Sequence, residues 1–225
     1  MNKLSVSMTQ KERQFGWFYW AFQLLVLPAL LDLIPGSFSD IQLNFFYFLL
    51  NFLCLVVIFR VFLKRSGKDA LKRPVKILFC ALLGYLVYWA MSLLLQQLIF
   101  LVKPDFSNAN DSSILQLADQ DFALTLVGTV VLVPLAEELM YRGLFFGCLY
   151  RRSPAAAYVV STAVFAVIHV LGYLNSADLI TLCLCFLQYL PAGVCLGWAY
   201  SRSGSIFAPI AMHIAINLTS ILAMR

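Results

Sequence analysis

Charged residues are scarce in this sequence, and their scarcity excludes an ordinary water-soluble domain. Only 12% of the 225 residues are Asp, Glu, Lys or Arg, whereas 62% are hydrophobic. A soluble domain carries about 25% charged residues and about 45–50% apolar ones. The balance is therefore that of an integral membrane protein, with room for several spans of about 20 residues each.

Several familiar signatures are also missing. The six cysteines all fall within apolar runs and form no C-x-x-C pair, which favours packing residues over a disulfide framework. The sequence has no internal repeat, no low-complexity segment and no lipidation motif. The first apolar run is too long and too aromatic for the core of a signal peptide, so we expect it to remain as a span.

Long apolar runs are abundant, and they predict about seven transmembrane helices. A span in lipid must satisfy its own backbone hydrogen bonds, so we expect an all-α, polytopic helical bundle. The predicted spans are Phe15–Ile34, Ile41–Leu63, Ile77–Val102, Phe122–Tyr150, Ala155–Tyr173, Leu179–Tyr200 and Ile206–Ala223. We expect residues 1–121 to hold the first three spans with their loops, and residues 122–225 to form a core of four spans.

The basic residues predict the orientation of the chain. With the N-terminus in the cytoplasm, 12 of the 16 Lys and Arg residues fall on the cytoplasmic side. They are Lys3, Lys11, Arg13, Lys64, Arg65, Lys68, Lys72, Arg73, Lys76, Arg151, Arg152 and Arg202. The net charge of +5 is then a topology signal directed at anionic lipids, and nucleic-acid binding is not needed to explain it.

Three charges lie deep inside the fourth predicted span. Glu137 and Glu138 are adjacent, and Arg142 follows Glu138 by four residues. Charged side chains in a span cost about 2.5–3.5 kcal/mol each on insertion scales, so they suggest function. Glu138 and Arg142 can form an ion pair along one helix. Glu137 points about 100° away and has no partner on its own helix, which favours a functional role.

Two other spans place polar groups at the same depth as Glu137. His169 and His213 are the only histidines of the chain, and Asn217 follows His213 by four residues on the same helix face. At a rise of about 1.5 Å per residue, Glu137, His169 and Asn217 lie roughly 20, 21 and 16 Å from the cytoplasmic ends of their spans. Each histidine alone could simply be a packed polar residue, but the shared level favours a common site.

This set of residues supports hydrolysis of an amide bond in a partly dry cavity. A glutamate and a histidine can take a proton from water, while a second histidine and an asparagine can stabilise an oxyanion. Two histidines and a carboxylate would also suit zinc, which we rank second because H-E-x-x-H is absent. No G-x-S-x-G motif indicates a serine nucleophile.

At these positions the chain resembles the CAAX-protease and bacteriocin-processing family of intramembrane proteases, also called the type II CAAX or Abi family. Three motifs carry the resemblance: "EELMYR", "FAVIH" and "HIAIN". Their matching residues are Glu137, Glu138, Arg142, Phe165, His169, His213 and Asn217. The motifs occur in order within the C-terminal half, whereas the first three spans match only in being hydrophobic.

The resemblance implies a role for each residue. Glu137 and His169 would activate water, and His213 and Asn217 would stabilise the oxyanion. Glu138, Arg142 and Phe165 would support them, and the mechanism would be of the glutamate type without a catalytic metal. The implied substrate is a peptide bond of a membrane-associated protein or peptide. The compact chain fits a bacterial member in the cell membrane, and the sequence does not define its oligomeric state.

Two other functions stay open at this point. The chain could be a non-catalytic membrane regulator or a bacteriocin-immunity protein that binds a partner membrane protein through its helices. A proton-coupled transporter could also use intramembrane Glu and His residues. The buried Glu137 favours the protease over a scaffold, and the absence of repeat symmetry disfavours a transporter.

Overall fold

The computed structural model describes residues 4–31, 33, 36 and 38–224, and in them the chain forms ten helices and no strand. Lys3 and Ile34, the end of the first predicted span, lie outside the described residues. The helices are α1 (Gln10–Leu25), α2 (Leu27–Leu31), α3 (Asp40–Ile58), α4 (Arg60–Ala70), α5 (Pro74–Val102), α6 (Ala109–Gln120), α7 (Phe122–Tyr150), α8 (Pro154–Leu171), α9 (Leu179–Ser203) and α10 (Phe207–Ala223). The all-α prediction is confirmed.

Five of these helices, α3, α5, α7, α8 and α9, are long and apolar enough to cross a membrane within the described part of the chain. Helix α10 is a shorter apolar helix of 17 residues. The region of the first predicted span is divided: α1 ends at Leu25, and α2 begins at Leu27. Helix α1 also begins in the polar segment that precedes the apolar run, because Thr9 and Glu12 form a capping box there. The chain is a multi-pass membrane protein.

Helix α7 lies at the centre of the bundle. Half of the residues in its most apolar stretch of 18 residues are buried, compared with 17% in the corresponding stretches of α3 and α5. Two stretches of α7, Val127–Leu132 and Glu138–Phe146, are wound as π-helix. Pro134 follows the first stretch, and it disfavours a regular α-helix there because proline has no N–H to donate and its ring clashes with the preceding turn. Wide turns of this kind leave backbone carbonyls available to other groups.

Helices α8, α9 and α10 pack beside α7 and complete the site. A Cβ atom on Gly193 of α9 would lie 2.6 Å from Cγ2 of Thr162 in α8, so only glycine permits this close approach. Gly204, with φ of 74°, ends α9 in the left-handed region and allows a tight turn into α10. Asp178 caps the other end of α9 by accepting a hydrogen bond from the Thr181 backbone N–H, and it forms an ion pair with Lys103 at the end of α5.

Candidate active site

Three helices bring Glu137, His169 and His213 together, as their predicted common depth requires. The Nε2 atoms of His169 in α8 and His213 in α10 each lie 3.9 Å from the same oxygen, Oε2 of Glu137 in α7. This oxygen has no hydrogen-bond partner among the described residues. Polar atoms at such a separation are often bridged by water. The arrangement can therefore hold a small polar molecule between a carboxylate and two imidazoles.

The ring of His169 is fixed in one orientation by its neighbours. Its Nδ1–H donates to the backbone carbonyl of Phe165, one turn earlier in α8, at 2.8 Å. The ring stacks on Tyr189 of α9 with centroids 4.2 Å apart, and its other neighbour is the Phe165 ring at 4.5 Å. With the proton of the neutral ring held on Nδ1, the lone pair of Nε2 points toward Glu137.

Glu138 connects two of the site's other charged groups. Its Oε1 accepts one hydrogen bond from Nη1 of Arg142 at 3.0 Å and another from Nδ1 of His213 at 2.8 Å. The ion pair with Arg142 was predicted, whereas the bond to His213 was not. The Glu138 and Arg142 side chains are fully buried, so each charge depends on the other for compensation.

Arg142 also links α7 to α8 and α9. Its Nη2 donates to the backbone carbonyl of Gly193 at 3.3 Å, and its guanidinium carbon lies 4.5 Å from the centre of the Phe165 ring. A cation over an aromatic face is attracted by the ring quadrupole. Phe165 therefore packs against both Arg142 and His169, and its supporting role stays a prediction.

Asn217 lies one turn after His213 and reaches back to α7. Its Nδ2 donates to the backbone carbonyl of Thr129 at 2.8 Å, within the first π-helical stretch. The second hydrogen of this amide has no partner in the described part of the chain. Asn217 thus connects α10 to α7 and still has an N–H that could be donated to an oxyanion.

The four residues proposed from the sequence line one cavity of about 680 Å³. Helices α3, α5, α6 and α9 contribute many polar side chains to the same space. They include Asn44, Tyr47, Asn51, Tyr88, Ser92, Gln96, Asn108, Asn110, Asp111, Ser113, Gln188 and Tyr189. The cavity is lined by Glu137 with its two histidines and, farther away, mainly by amides and hydroxyls. A cavity of this size can hold water together with an extended peptide.

Sequence reasoning missed three contributors to the site. Tyr189 stacks on His169, Thr129 accepts from Asn217, and Gly193 accepts from Arg142. Two of them act through backbone carbonyls, which carry no signal of residue type. Tyr189 is one aromatic residue among many in an apolar helix. Only the packing of α9 and α10 against α7 and α8 distinguishes these positions.

The zinc alternative fits the donor atoms in kind and not in spacing. Two imidazole nitrogens and a carboxylate oxygen are common zinc ligands, and both histidines place Nδ1 on an oxygen acceptor as zinc ligands do. Ligand atoms around tetrahedral zinc lie about 3.4 Å apart, whereas both Nε2 atoms here lie 3.9 Å from Oε2 of Glu137. Within the described ranges, no group of three or more His, Cys, Asp or Glu side chains is arranged to hold a metal ion.

Part of the chain matches a known protein family. Residues 119–219 match the family described as type II CAAX prenyl endopeptidase, Rce1-like. The matched range contains α7, α8, α9 and most of α10, and with them every residue of the three motifs. No curated protein and no solved structure gives a significant match to the chain.

Proposed function

We propose that this chain, whose residues 119–219 match the type II CAAX prenyl endopeptidase family, cleaves a membrane-associated substrate by means of a water molecule activated by Glu137 and His169. One observation carries the proposal: the Nε2 atoms of two histidines from two helices converge on the partnerless Oε2 of Glu137 inside a large cavity. A purely structural carboxylate in this position would be expected to accept hydrogen bonds from neighbouring side chains, as Glu138 does with its Oε1.

The first step uses Glu137 and His169 together. A water placed between Oε2 of Glu137 and Nε2 of His169 donates its hydrogens to both atoms, since each offers a lone pair. Its oxygen attacks the scissile carbonyl carbon, Glu137 takes the proton, and the carbonyl oxygen becomes an oxyanion. When the tetrahedral intermediate collapses, the C–N bond breaks and Glu137 returns the proton to the leaving amine.

The oxyanion is stabilised by donors from α10. The Nδ1–H of His213 is committed to Glu138, so His213 donates from Nε2 in its protonated form, for which the Glu138 carboxylate is the counter-ion. The second N–H of Asn217 is the other available donor. Preorganised donors in a site that excludes water can lower the barrier by several kcal/mol because they need no reorientation during the reaction.

The substrate class follows from the cavity and from its depth. We propose a peptide that lies at or within the bilayer and enters the cavity in an extended form, with polar groups along α6 and α9 binding its backbone. A bacterial origin would make prenylated substrates less suitable than other lipid-flanked peptides. A regulatory or immunity function through binding to another membrane protein is the competing proposal.

The test compares membrane peptides from cells that produce the native chain with those from cells that produce Glu137→Gln. New peptide N-termini should appear with the native chain and disappear with the variant. Asp105→Asn, an exposed change in the loop between α5 and α6, is the matched control and should retain them. Identical peptide patterns from the native chain and Glu137→Gln, with both proteins folded in the membrane, would favour the regulatory function.

A further inference from the structure

A second cavity lies at the opposite end of α7 from its N-terminus, away from Glu137. It is a groove of about 550 Å³ between the N-terminal segment with α1 on one side and the C-terminal end of α7 on the other. Its lining includes Arg13 and Trp17 of α1, Leu149 of α7, and Arg151 and Arg152 directly after α7. We call it the arginine groove.

The charges of the arginine groove all have one sign. Arg13, Arg151 and Arg152 line it, and no Asp or Glu is among its described lining residues. None of the three arginines forms an ion pair with a described residue. The nearest acid in sequence, Glu12, is buried and turned away, because its carboxylate accepts from the backbone N–H groups of Thr9 and Phe62. The groove therefore concentrates positive charge without compensation.

The wall that carries Arg13 is held in place by contacts elsewhere. Ser5 donates from its hydroxyl to the backbone carbonyl of Gly204, at the end of α9. Met8 is buried against Gly143 of α7, where a Cβ atom would lie 2.7 Å from its Cε. A bond from the Phe62 N–H to Glu12 attaches the start of α1 to α4. A site formed before its ligand arrives loses less entropy on binding.

Apolar side chains also line the groove beside the arginines. Trp17 is 39% exposed and packs edge-on against Phe145 at 4.4 Å. Leu149 of α7 and the residues Leu4, Val6 and Met8 that precede α1 continue the apolar wall. Tryptophan with an apolar body and a polar N–H is typical of the headgroup level of a bilayer. Guanidinium groups above such a wall match a phosphate that is attached to acyl chains.

We propose that the arginine groove binds the headgroup of an anionic phospholipid. Arg13, Arg151 and Arg152 contact the phosphate, and Trp17 and Leu149 contact the glycerol and upper acyl region. The lipid then bridges α1 and the end of α7 and fixes the helix that carries Glu137 and Glu138. Basic pockets beside transmembrane helices are a known means of anionic-lipid recognition. This site is separate from the cavity that contains Glu137, so it does not depend on the protease proposal.

The experiment measures thermal unfolding of the detergent-purified chain while short-chain phosphatidylglycerol is added. The lipid should raise the unfolding midpoint, whereas phosphatidylcholine of the same chain length should have little effect. Inorganic phosphate and glycerol phosphate are added in parallel to test whether a phosphate without acyl chains is sufficient for stabilisation. Stabilisation by these small anions at the same concentrations as by the lipid would overturn the lipid assignment.

Two variants that remove the same number of positive charges distinguish lipid binding in the groove from a general effect of the net charge. Arg13→Gln/Arg151→Gln/Arg152→Gln should raise the phosphatidylglycerol concentration at half-maximal stabilisation by about tenfold or more, since three charged hydrogen bonds are lost. Lys64→Gln/Lys68→Gln/Lys72→Gln removes the same charge from exposed positions in and after α4 and should leave it unchanged. Equal shifts in both variants would overturn the proposal, as would no shift in either. If the arginine variant is not recovered folded, Trp17→Ala serves in its place, with a weakened lipid response expected and an unaltered one contradicting the groove.

Discussion

Oε1 of Glu138 accepts a hydrogen bond from Nδ1 of His213 at 2.8 Å, across the interface between α7 and α10. The same oxygen also accepts a hydrogen bond from Arg142. Glu138 therefore forms the predicted ion pair within α7 and also connects α7 to α10. Its charge orients His213 and compensates Arg142 at once. Stability and activity should therefore respond differently to different substitutions at this position.

Glu138→Ala should destabilise the protein severely. It removes the carboxylate paired with the fully buried Arg142, and breaking a buried ion pair on one side costs about 3–5 kcal/mol. Thermal unfolding in detergent and the yield of folded protein would measure this effect. An unfolding midpoint equal to that of the native chain would contradict the compensating role.

Glu138→Gln should reduce activity more than stability. Glutamine keeps an oxygen acceptor for Arg142 and His213 but removes the charge that supports protonated His213. Loss of a charged hydrogen bond of about 1.5–3 kcal/mol corresponds to roughly 10- to 100-fold in rate. Cleavage rates and unfolding midpoints of the two Glu138 variants, measured side by side, would show whether orientation and compensation are separable.

The roles proposed for the other site residues predict graded losses. Glu137→Gln and His169→Ala should each abolish cleavage in a protein that stays folded. Asn217→Ala should retain measurable activity, since removing one oxyanion donor reduces the rate by about 10²–10³. Single-turnover assays on a cleaved substrate would give the rates. Equal and total loss from all three variants would argue against this division between water activation and oxyanion stabilisation.

Tyr189 should act through its ring and not through its hydroxyl. The ring stacks on His169 at 4.2 Å, and the hydroxyl has no hydrogen-bond partner among the described residues. An aromatic pair contributes about 0.5–1.5 kcal/mol beyond its buried area, so Tyr189→Leu should lower kcat by about 3- to 10-fold. Tyr189→Phe retains the stacking and should have nearly native kcat. A larger loss in the Phe variant than in the Leu variant would assign a role to the hydroxyl instead.

Asp111, on α6 outside the membrane spans, should make stability depend on pH. Burial raises the pKa of this carboxyl from 3.8 to about 6. Since the folded state then holds the proton more tightly than the unfolded state, folding is favoured at low pH and loses stability as the pH rises through this range. Asp111→Asn should raise the unfolding midpoint by several degrees at pH 7.5 and leave it unchanged at pH 4.

The control for this prediction is Asp119→Asn, which changes an exposed carboxyl on the same helix. It should not alter how the unfolding midpoint varies with pH. A native-like pH dependence in Asp111→Asn would show that the burial of Asp111 does not determine the stability of the folded chain.

Most of the long helices, and the proximity of Glu137 to the two histidines, could be predicted from the sequence, because both follow from patterns within single segments. The fourth apolar run corresponds to α7, and the shared depth of Glu137 and His169 follows from helical rise alone. The π-helical turns and the bond between Glu138 and His213 could not be predicted. The π-helical turns depend on how the backbone of α7 adapts to Pro134. The bond between Glu138 and His213 depends on which face of α10 packs against α7. A single sequence has no pattern that predicts either.

The first predicted span is a second case in which the sequence does not predict the detailed structure. An unbroken apolar run from Phe15 predicted one continuous helix, yet the chain forms two helices with a break at Val26. Hydropathy reports the environment of a segment and not the continuity of its hydrogen bonds. The division at residue 121 into two regions stays a prediction.

The last prediction separates the two chemistries that the donor atoms permit. We expect the purified protein to contain well under one zinc per chain by elemental analysis, and we expect cleavage to continue in a strong chelator. The physical reason is the spacing: both Nε2 atoms lie 3.9 Å from Oε2 of Glu137, which suits a bridging water better than a shared tetrahedral ion. His169→Ala supplies the matched control, because zinc bound at this site would be reduced in that variant and adventitious zinc would not. Stoichiometric zinc in the native chain that is lost in His169→Ala, with activity removed by chelator and restored by metal, would replace the metal-free mechanism and assign His169 and His213 as ligands.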